Sequence, residues 1–443
     1  MDKISEFLQQ HAITEVECIV PDTTGIARGK IIPRSKFEHG EAMRMPVAVL
    51  EQTVTGDYPD ESSTGPTDPD MVCIPDPDTI RLIPWAIDPT AQVIHDCVHF
   101  DGSPVEISAR YVLRRVLQLY KEKGWQPVIA PELEFYLVDM NKDPDLPLQP
   151  PIGRTGRAET GRQAYSIDAV NEFDALFEDI YEYCELQDLE IDTLIHEVGA
   201  AQMEINFLHG DPLNLADRVF LFKRTVRETA LRHKMYATFM AKPMENEPGS
   251  AMHMHQSVID IHTGKNIFTR DDGSASEKFF QFIAGQQTYI PAVMPIFAPF
   301  VNSYRRLSRF TAAPINVQWG YDNRTVGLRI PASSPAARRV ENRVAGVDCN
   351  PYLAMAATLA CGYLGMTQAL QATDPIDTDA YNLPYELPRN LEEAMTRMQL
   401  CEPMAEILGR QFVNTYLQTK ELEYETFFKV ISSWERRHLL LHA

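Results

Sequence analysis

The sequence predicts an α+β protein with a small strand-rich part followed by a larger part that mixes strands and long helices. Roughly the first 105 residues are turn-rich and strand-like, and helical spacing begins after Ser108. Strand-like segments then recur between the later helices. A chain of 443 residues has room for two or three domains. We therefore predict an N-terminal domain over residues 1–107 and a catalytic domain over 108–443.

The N-terminal part begins with a predicted strand at residues 14–20. Val16, Cys18 and Val20 alternate there with polar positions, which places them on one face. Residues 56–90 are dense in proline and aspartate, which indicates ordered loops and short strands. These patterns predict a small sheet with one buried face.

The larger part begins with apolar positions at helical spacing, including Val112, Val116 and Tyr120. A strand is predicted over 128–139, after this first helix. Helices are predicted over residues 109–123, 168–187, 213–233, 276–290, 350–371, 389–400 and 402–440.

The charge balance is strongly acidic. Aspartate and glutamate number 62 against 41 lysines and arginines, for a formal net charge of −21. Because a nucleic-acid partner requires a basic surface, this balance argues against one. It suits cationic substrates and divalent metals, although a solvated acidic surface would produce the same count.

The sequence also predicts a cytoplasmic protein. Its seven cysteines form no CxxC pair, and their odd number argues against a disulfide framework. The polar start lacks the features of a signal peptide, and no apolar run approaches the ~20 residues that a membrane helix needs. We expect no membrane partner.

Acidic and histidine residues lie inside three apolar, strand-like segments: Glu132, Glu134, Glu197, Glu204, His253 and His255. Glutamates two positions apart share one strand face. Such positions are costly for charges unless they are paired or bound to metal. Carboxylates with few imidazoles suit Mg²⁺ or Mn²⁺ better than Zn²⁺. The solvated face of an edge strand is the alternative interpretation.

A fourth segment, residues 323–343, is rich in arginine. Arg329 and Arg339 each stand beside an apolar residue, and Glu341 lies among them. This placement favours binding of phosphate or carboxylate groups over simple solvation. The sequence contains neither a P-loop nor GxGxxG, so arginines and metals would hold a nucleotide. A salt-bridged surface is the alternative.

Taken together and in this order, the segments resemble the glutamine synthetase family, from about Glu15 to the C-terminus. The segments that carry the resemblance are residues 131–135, 196–198, 248–257, 302–307, 323–343 and 350–352. The resemblance implies a β-grasp-like N-terminal domain and a catalytic domain with a curved antiparallel sheet. It also implies a ligase that uses ATP and two or three Mg²⁺ or Mn²⁺ ions per active site.

The resemblance implies a role for each matching residue. One metal would be held by Glu134, Glu197 and Glu204, and the other by Glu132, His253 and Glu341. ATP would contact His255 and Ser257, with its phosphates on Arg324, Arg329 and Arg339. L-Glutamate would bind Arg306, Arg343 and the backbone at Gly249. Arg324, Arg339 and Glu51 are the residues expected to take part in catalysis.

Departures from the family pattern favour an organic amine over ammonia as the acceptor. Ala312 stands where ammonia-using members carry the glutamate that closes the site and helps to deprotonate ammonium. Glu51, in a loosely matching loop, keeps a carboxylate beside the apolar Val54, and Pro248 also departs. These changes resemble the γ-glutamylpolyamine and γ-glutamylamine synthetases. An ammonia-using glutamine synthetase and a catalytically silent relative are the alternatives.

The resemblance further implies a dodecamer of two hexameric rings, in which Glu51 would reach the active site of a neighbouring subunit. The segment 434–442 is basic and then apolar, with three consecutive leucines at 439–441. Exposed leucines at a chain end suit docking against the opposite ring. Packing of this tail within its own subunit is the alternative.

Overall fold

The computed structural model describes residues 3–40, 42–59 and 65–443, and it contains two β-sheets with helices around them. The predicted α+β class is confirmed. The strands of the first sheet are β1 (Glu15–Pro21), β2 (Ala27–Pro33), β3 (Met43–Pro46), β4 (Asp70–Pro75), β5 (Arg81–Leu82) and β6 (Thr90–Val98). The strands of the second are β7 (Trp125–Asp139), β8 (Ile191–His196), β9 (Gln202–Phe207), β10 (Met235–Thr238), β11 (Met252–Asp260), β12 (Trp319–Tyr321), β13 (Leu328–Ile330) and β14 (Val340–Asn342).

Fourteen helices are assigned within the described residues. The first seven are α1 (Lys3–Gln10), α2 (Arg34–Glu38), α3 (Ala109–Glu122), α4 (Ile167–Asn171), α5 (Asp174–Leu186), α6 (Pro212–Arg232) and α7 (Glu277–Tyr289). The others are α8 (Met294–Phe297), α9 (Ser303–Arg306), α10 (Pro351–Thr367), α11 (Leu391–Gln399), α12 (Glu402–Leu408), α13 (Arg410–Phe428) and α14 (Ser433–Leu439). In the part of the chain that the structure describes, no helix combines the length and apolarity needed to cross a membrane.

The first sheet has the strand order β2-β1-β6-β4-β3, with β5 also paired to β6. β1 and β6 run parallel, and the other pairs are antiparallel. Val16, Cys18 and Val20 of β1 are buried in the core of this sheet, as their alternation predicts. Ile19, on the other face, packs into the core of the larger part. The sheet therefore contributes one face to each core.

The second sheet places the predicted metal-binding segments on adjacent strands. Its order is β12-β13-β14-β11-β7-β9-β8, with β10 also paired to β7. Glu132 of β7 lies opposite His253 of β11. Glu134 lies opposite Glu204 of β9, and His255 lies opposite the Glu341 position of β14. Because register decides which side chains share a face, this pairing collects the acids at one surface of the sheet.

Helix α10 forms the centre of the larger core. Fifteen of its seventeen residues are buried, so it is apolar on all sides. It packs against α7, α3 and α6. Asn350 caps the N-terminus of the helix, and its side chain accepts hydrogen bonds from the backbone N–H groups of Tyr352 and Leu353. Asn350 also donates from Nδ2 to the carbonyl of Asp22, which ties α10 to the N-terminal sheet.

Three predicted helices are wrong in extent. The continuous helix over 402–440 is divided into three helices, with breaks at Gly409 and at residues 429–432. Gly409 has a φ of 104°, a conformation that only glycine adopts without strain. The predicted helix over 168–187 is interrupted at Phe173, and α10 ends at Thr367 rather than at 371. The apolar pattern continues through these breaks, so periodicity did not reveal them.

Helix α1 was not predicted. Its buried positions, Ile4 and Leu8, have the i, i+4 spacing of a short amphipathic helix.

The leucines near the C-terminus are exposed to solvent in this structure. Leu440 and Leu441 are 76% and 86% exposed. These leucines do not pack within their own subunit in this structure. The domain boundary between 107 and 108 stays a prediction.

Candidate active site

The predicted site residues meet in two neighbouring cavities above the acidic surface of the second sheet. The first cavity has a volume of about 630 Å³. It is lined by twelve of the predicted residues: Glu132, Glu134, Glu197, Glu204, Gly249, His253, Arg306, Ala312, Arg324, Arg329, Glu341 and Arg343. The second cavity, of about 590 Å³, is lined by His255, Ser257 and Arg339. Glu132 and Asn206 line both, so the two cavities adjoin at these side chains.

The acidic side chains form two groups that could hold metal ions. Ligand atoms of Glu132, Glu204 and His253 lie within 4.8 Å of one another, and so do those of Glu132, His255 and Glu341. Carboxylates in such numbers are typical ligands of hard divalent cations. The grouping differs from the one predicted, because His255 joins a candidate metal group here. Its Nε2 lies 2.8 Å from Glu132 Oε1.

Glu134 and Glu204 carry raised pKa values. Burial raises the pKa of Glu134 to about 8, and the nearby Glu197 carboxylate adds to the shift. Burial and the Glu134 carboxylate raise the pKa of Glu204 to about 9. The pKa of Glu197 is raised as well, chiefly by burial. A divalent cation among these groups would supply the positive charge that stabilises their ionised forms.

The pKa of Glu132 is lowered, in contrast to the raised pKa values of these neighbours. Burial alone would raise its pKa, but hydrogen bonds with His253 and His255 outweigh that effect and lower the pKa well below its usual value. Burial and the Arg343 guanidinium lower the pKa of His253 to about 4, which favours the neutral imidazole. Neutral imidazole is the form that ligates metals.

Glu341 is held between two arginines. Arg343 Nη1 donates to Glu341 Oε1 across 2.5 Å, and Arg329 Nη1 donates to Oε2 across 2.8 Å. Burial acts to raise the pKa of Glu341, yet Arg343 and the two histidines outweigh it and lower the pKa to about 2. This carboxylate is therefore ionised and fixed in position throughout the physiological pH range.

Gly249 lies where the backbone must pass close to Arg306. A Cβ at this position would lie 2.6 Å from Arg306 Cγ and 2.6 Å from the Ala241 carbonyl oxygen. Arg306 is buried and donates to the carbonyls of Arg343 and Val344. Gln202 donates from Nε2 to the Gly249 carbonyl across 3.1 Å. The glycine backbone and the Arg306 guanidinium thus form one rigid wall of the first cavity.

The arginines predicted to meet phosphates divide between the cavities. Arg324 and Arg329 line the first. Arg339 lines the second, where its Nε lies 3.2 Å from His255 Nδ1. Ser257 stands two residues after His255 on β11, on the same strand face. Each of the two cavities that adjoin at Glu132 is therefore lined by at least one of these arginines.

The structure does not bring Glu51 to either cavity. Its side chain is fully buried in its own subunit, and its carbonyl accepts a hydrogen bond from Thr419 of α13. The loose match of this loop was the weakest part of the resemblance. The catalytic and amine-binding role of Glu51 at the site of a neighbouring subunit stays a prediction, because it depends on the assembly of subunits.

Sequence reasoning missed Asn206 and Glu159. Asn206 follows Glu204 by two positions on β9, so strand alternation could have identified it, and its buried Oδ1 has no hydrogen-bond partner. Glu159 Oε2 lies 3.0 Å from His196 Nε2 and accepts from the Ala201 N–H across 2.8 Å. Glu159 comes from a loop that no local pattern connects to β8.

Comparison with known proteins gives the family to which this fold and site belong. The family model for the glutamine synthetase catalytic domain matches residues 106–439. The chain belongs to the glutamine synthetase family, and it is a carbon–nitrogen ligase of that type. Enzymes of this family use ATP and divalent metal ions.

Three relatives illustrate the range of similarity. A gamma-glutamylputrescine synthetase of Escherichia coli (strain K12) is 35% identical, over 100% of this chain and 95% of its own. A glutamate–isopropylamine ligase of a Pseudomonas species is 31% identical, over 98% and 96%. A glutamine synthetase of Pyrococcus horikoshii is 32% identical, over 96% of each chain.

A solved structure shows the same fold over the full length. It is described as apo GmaS without ligand, with a TM-score of 0.84, 27% identity and coverage of 100% of both chains. The resemblance that the sequence motifs indicated is confirmed at the level of the family.

Proposed function

We propose that this enzyme joins the γ-carboxyl group of L-glutamate to an organic amine, with ATP converted to ADP and phosphate. The observation that carries the proposal is the position of Ala312. It lines the cavity that holds Glu134, Glu197 and Arg306, and it presents a methyl group. The cavity lacks at that point the carboxylate that ammonia-using members place there, and the space accepts a substituent on nitrogen.

The site residues take the roles that the motifs implied. Arg306 and the Gly249 backbone receive glutamate, because they form a rigid cationic wall beside the acids. Arg324, Arg329 and Arg339 face the phosphates of ATP, with His255 and Ser257 on the nucleotide side. Arg343, which also donates to Glu341, binds glutamate together with Arg306.

The residues present fit divalent metal ions. Glu132 stands in both candidate groups, and Glu134, Glu204 and Glu197 have pKa values raised by burial and mutual repulsion, which a cation would relieve. When bound, such ions neutralise phosphoryl oxygens during transfer. Mg²⁺ and Mn²⁺ suit the oxygen-rich ligand set equally well.

The reaction then has two steps. The γ-phosphoryl group of ATP passes to the glutamate γ-carboxylate, and Arg324 and Arg339 stabilise the charge on its oxygens. The amine nitrogen, as the free base, attacks the acyl carbon. The bond from that carbon to the phosphate oxygen breaks, and the departing phosphate takes the proton that the nitrogen loses. The closed wall formed by Gly249, Arg306 and Gln202 keeps the glutamate carboxylate in line for both steps.

We further propose the arrangement of the protein in the cell and in its assembly. Domains over 1–107 and 108–443 agree with the separate core of the first sheet. The exposed Leu440 and Leu441 suit contact with an opposite ring in a cytoplasmic dodecamer of two hexamers. Size-exclusion chromatography with light scattering tests this assembly.

The function is tested by phosphate release from ATP with glutamate and Mg²⁺ or Mn²⁺. Ammonium is compared with mono-, di- and polyamines, and the products are identified by mass. Turnover selective for organic amines supports the proposal. Turnover with ammonium alone makes the protein a glutamine synthetase, and absence of turnover with every amine favours a silent relative.

A further inference from the structure

A third cavity, of about 420 Å³, lies between the first sheet and the larger part of the chain. Its walls come from the turn between β1 and β2, from α6, from β10 and from residues within 300–302 and 348–351. The residues that line it differ from those that line the first and second cavities. It is therefore separate from the site proposed for the substrates.

Two cations on one face of α6 line this third cavity. Lys223 and Arg227 are four residues apart, so their side chains are neighbours on the helix surface. Both lie against the ring of Phe239, with Lys223 Nζ 5.6 Å and Arg227 Cζ 5.0 Å from its centroid. Like charges at this spacing repel each other, and an anion between them would relieve the repulsion.

The partners of Lys223 are backbone carbonyls rather than carboxylates. Its Nζ donates to the carbonyls of Val347 and Cys349 across 2.6 and 3.0 Å, although the residue is only 8% exposed. Burial lowers the pKa of Lys223 to about 8, and the positive charge of Arg227 acts in the same direction. Among the residues that the structure describes, neither cation forms an ion pair. A buried ammonium in this position gains from a ligand with negative charge.

The other residues of the cavity restrict the charge and shape of that ligand. Asp348 lines the cavity and accepts a hydrogen bond from the Ser303 hydroxyl across 2.6 Å. Two cations and one ionised acid leave a net charge of +1, which suits a monovalent anion better than a phosphate dianion. Three aromatic rings form the apolar part of the wall: Phe220, Phe239 and Phe300. An apolar body on the anion would therefore be buried against them.

We propose that the third cavity binds a small monocarboxylate with an aromatic or branched apolar body, and that its carboxylate lies between Lys223 and Arg227. The planar guanidinium supplies two parallel donors to a carboxylate, and the ammonium supplies a point charge. L-Glutamate fits this cavity poorly, because it has a second carboxylate and no apolar body. The ligand is thus a further one, bound apart from the reacting groups.

The test measures the binding of 3-phenylpropionate to the full-length enzyme by isothermal titration calorimetry. Saturating L-glutamate and ADP are present, so that the first and second cavities are occupied. 3-Phenylpropionamide has the same body without the charge, and acetate has the charge without the body. Arg227→Met removes one cation from the cavity. Arg232→Met is the matched control, because Arg232 is an exposed cation of the same helix that does not line the cavity.

We expect 3-phenylpropionate to bind the wild-type enzyme with a Kd about tenfold or more below the Kd values of the amide and of acetate. Arg227→Met should raise the Kd of 3-phenylpropionate by about tenfold or more, and Arg232→Met should leave it unchanged. The inference is overturned by any of three results: no binding of 3-phenylpropionate up to about 10 mM, equal Kd values for the acid and the amide, or an unchanged Kd in Arg227→Met.

Discussion

Arg110 of α3 and Asp217 of α6 form a bidentate ion pair in the interior of the protein. Arg110 Nε and Nη2 donate to the two carboxylate oxygens across 3.0 and 2.8 Å. The same guanidinium reaches Asp76 and Asp96 of the N-terminal sheet. One arginine thus connects α3 and α6 of the larger part to the first sheet, and it pairs with three carboxylates that would be costly alone.

Removal of this arginine should destabilise the protein strongly. Arg110→Ala leaves Asp217 buried without its cation. We therefore expect the free energy of unfolding, measured by chemical denaturation, to fall by about 3–5 kcal/mol. Arg114→Ala is the matched control. Arg114 contacts Asp76 and Asp96 as well, but its side chain is 40% exposed, and we expect a loss of about 1 kcal/mol or less. Equal losses of unfolding free energy in Arg110→Ala and Arg114→Ala would show that burial does not make the ion pairs of Arg110 more important for stability.

Metal binding should stabilise the protein more at high pH. The pKa values of Glu134 and Glu204, about 8 and about 9, exceed the ordinary 4.5. Without a cation the folded state binds more protons than the unfolded state, so its stability falls as pH rises from about 5 to 9. A bound cation requires the ionised carboxylates. The increase in Tm on addition of Mn²⁺ should therefore be larger at pH 8.5 than at pH 6, with about equal ionic strength in both.

Glu204→Gln serves as the control for this pH effect, because the amide keeps the size of the side chain and loses its proton equilibrium. We expect a smaller difference between the two pH values in this variant. An increase in Tm that does not depend on pH in the wild type would show that protons are not displaced by the cation.

Replacement of Glu134 should abolish turnover. Its Oε2 accepts from the Ala251 N–H across 2.8 Å, so the carboxylate is already fixed in the cavity. We expect Glu134→Ala to lower kcat by about 100-fold or more, because charge neutralisation at the phosphoryl group is lost. The measurement is phosphate release over a range of Mn²⁺ concentrations. Near-normal turnover would refute the assignment of Glu134 as a metal ligand.

An acid at position 312 should shift the acceptor preference toward ammonium. Ala312 already has a left-handed backbone, and a glutamate there adds little further strain. We expect Ala312→Glu to raise kcat/KM for ammonium by about tenfold or more through charge-assisted hydrogen bonds, and to lower it for organic amines. Ala312→Gln has the same size without the charge. Unchanged selectivity in Ala312→Glu would show that this position does not choose the acceptor.

A side chain at position 249 should impair glutamate binding. The new methyl group of Gly249→Ala would displace either Arg306 or the Ala241 carbonyl, both 2.6 Å away. We expect KM for glutamate to rise by about tenfold, with KM for ATP little changed. Gly161→Ala is the matched control, since the nearest atom to its new Cβ is 4.0 Å away. A parallel rise in both KM values would indicate general disruption of the site.

Local sequence patterns predicted much of the large domain. Alternation on β7 placed Glu132 and Glu134 on one face, and the 3.6-residue period located α3, α6 and α7 to within about two residues. Periodicity did not reveal helix breaks where apolar spacing continued through them, as at Gly409. Such breaks depend on backbone angles that a single residue sets and on packing against distant helices.

The residues of the site could be collected from the sequence because their chemistry recurs in ordered motifs. The arrangement of these residues relative to one another could not be predicted from the sequence. The register between β7, β11, β9 and β14 decides that Glu132 meets His255, and that metal-binding atoms group differently from the motif order. Register depends on pairing across the whole sheet, which no local segment contains.

By itself, the sequence determined the α+β class, the family and the identity of the acids and arginines. Tertiary structure alone decided that Glu51 is enclosed in its own subunit, and that Lys223 and Arg227 lie against one aromatic ring at the third cavity. The reason is physical. Hydrophobic period and charge are properties of nearby residues, whereas burial, left-handed loop conformations and the pKa values of Glu134 and Glu204 arise from residues that only folding brings together.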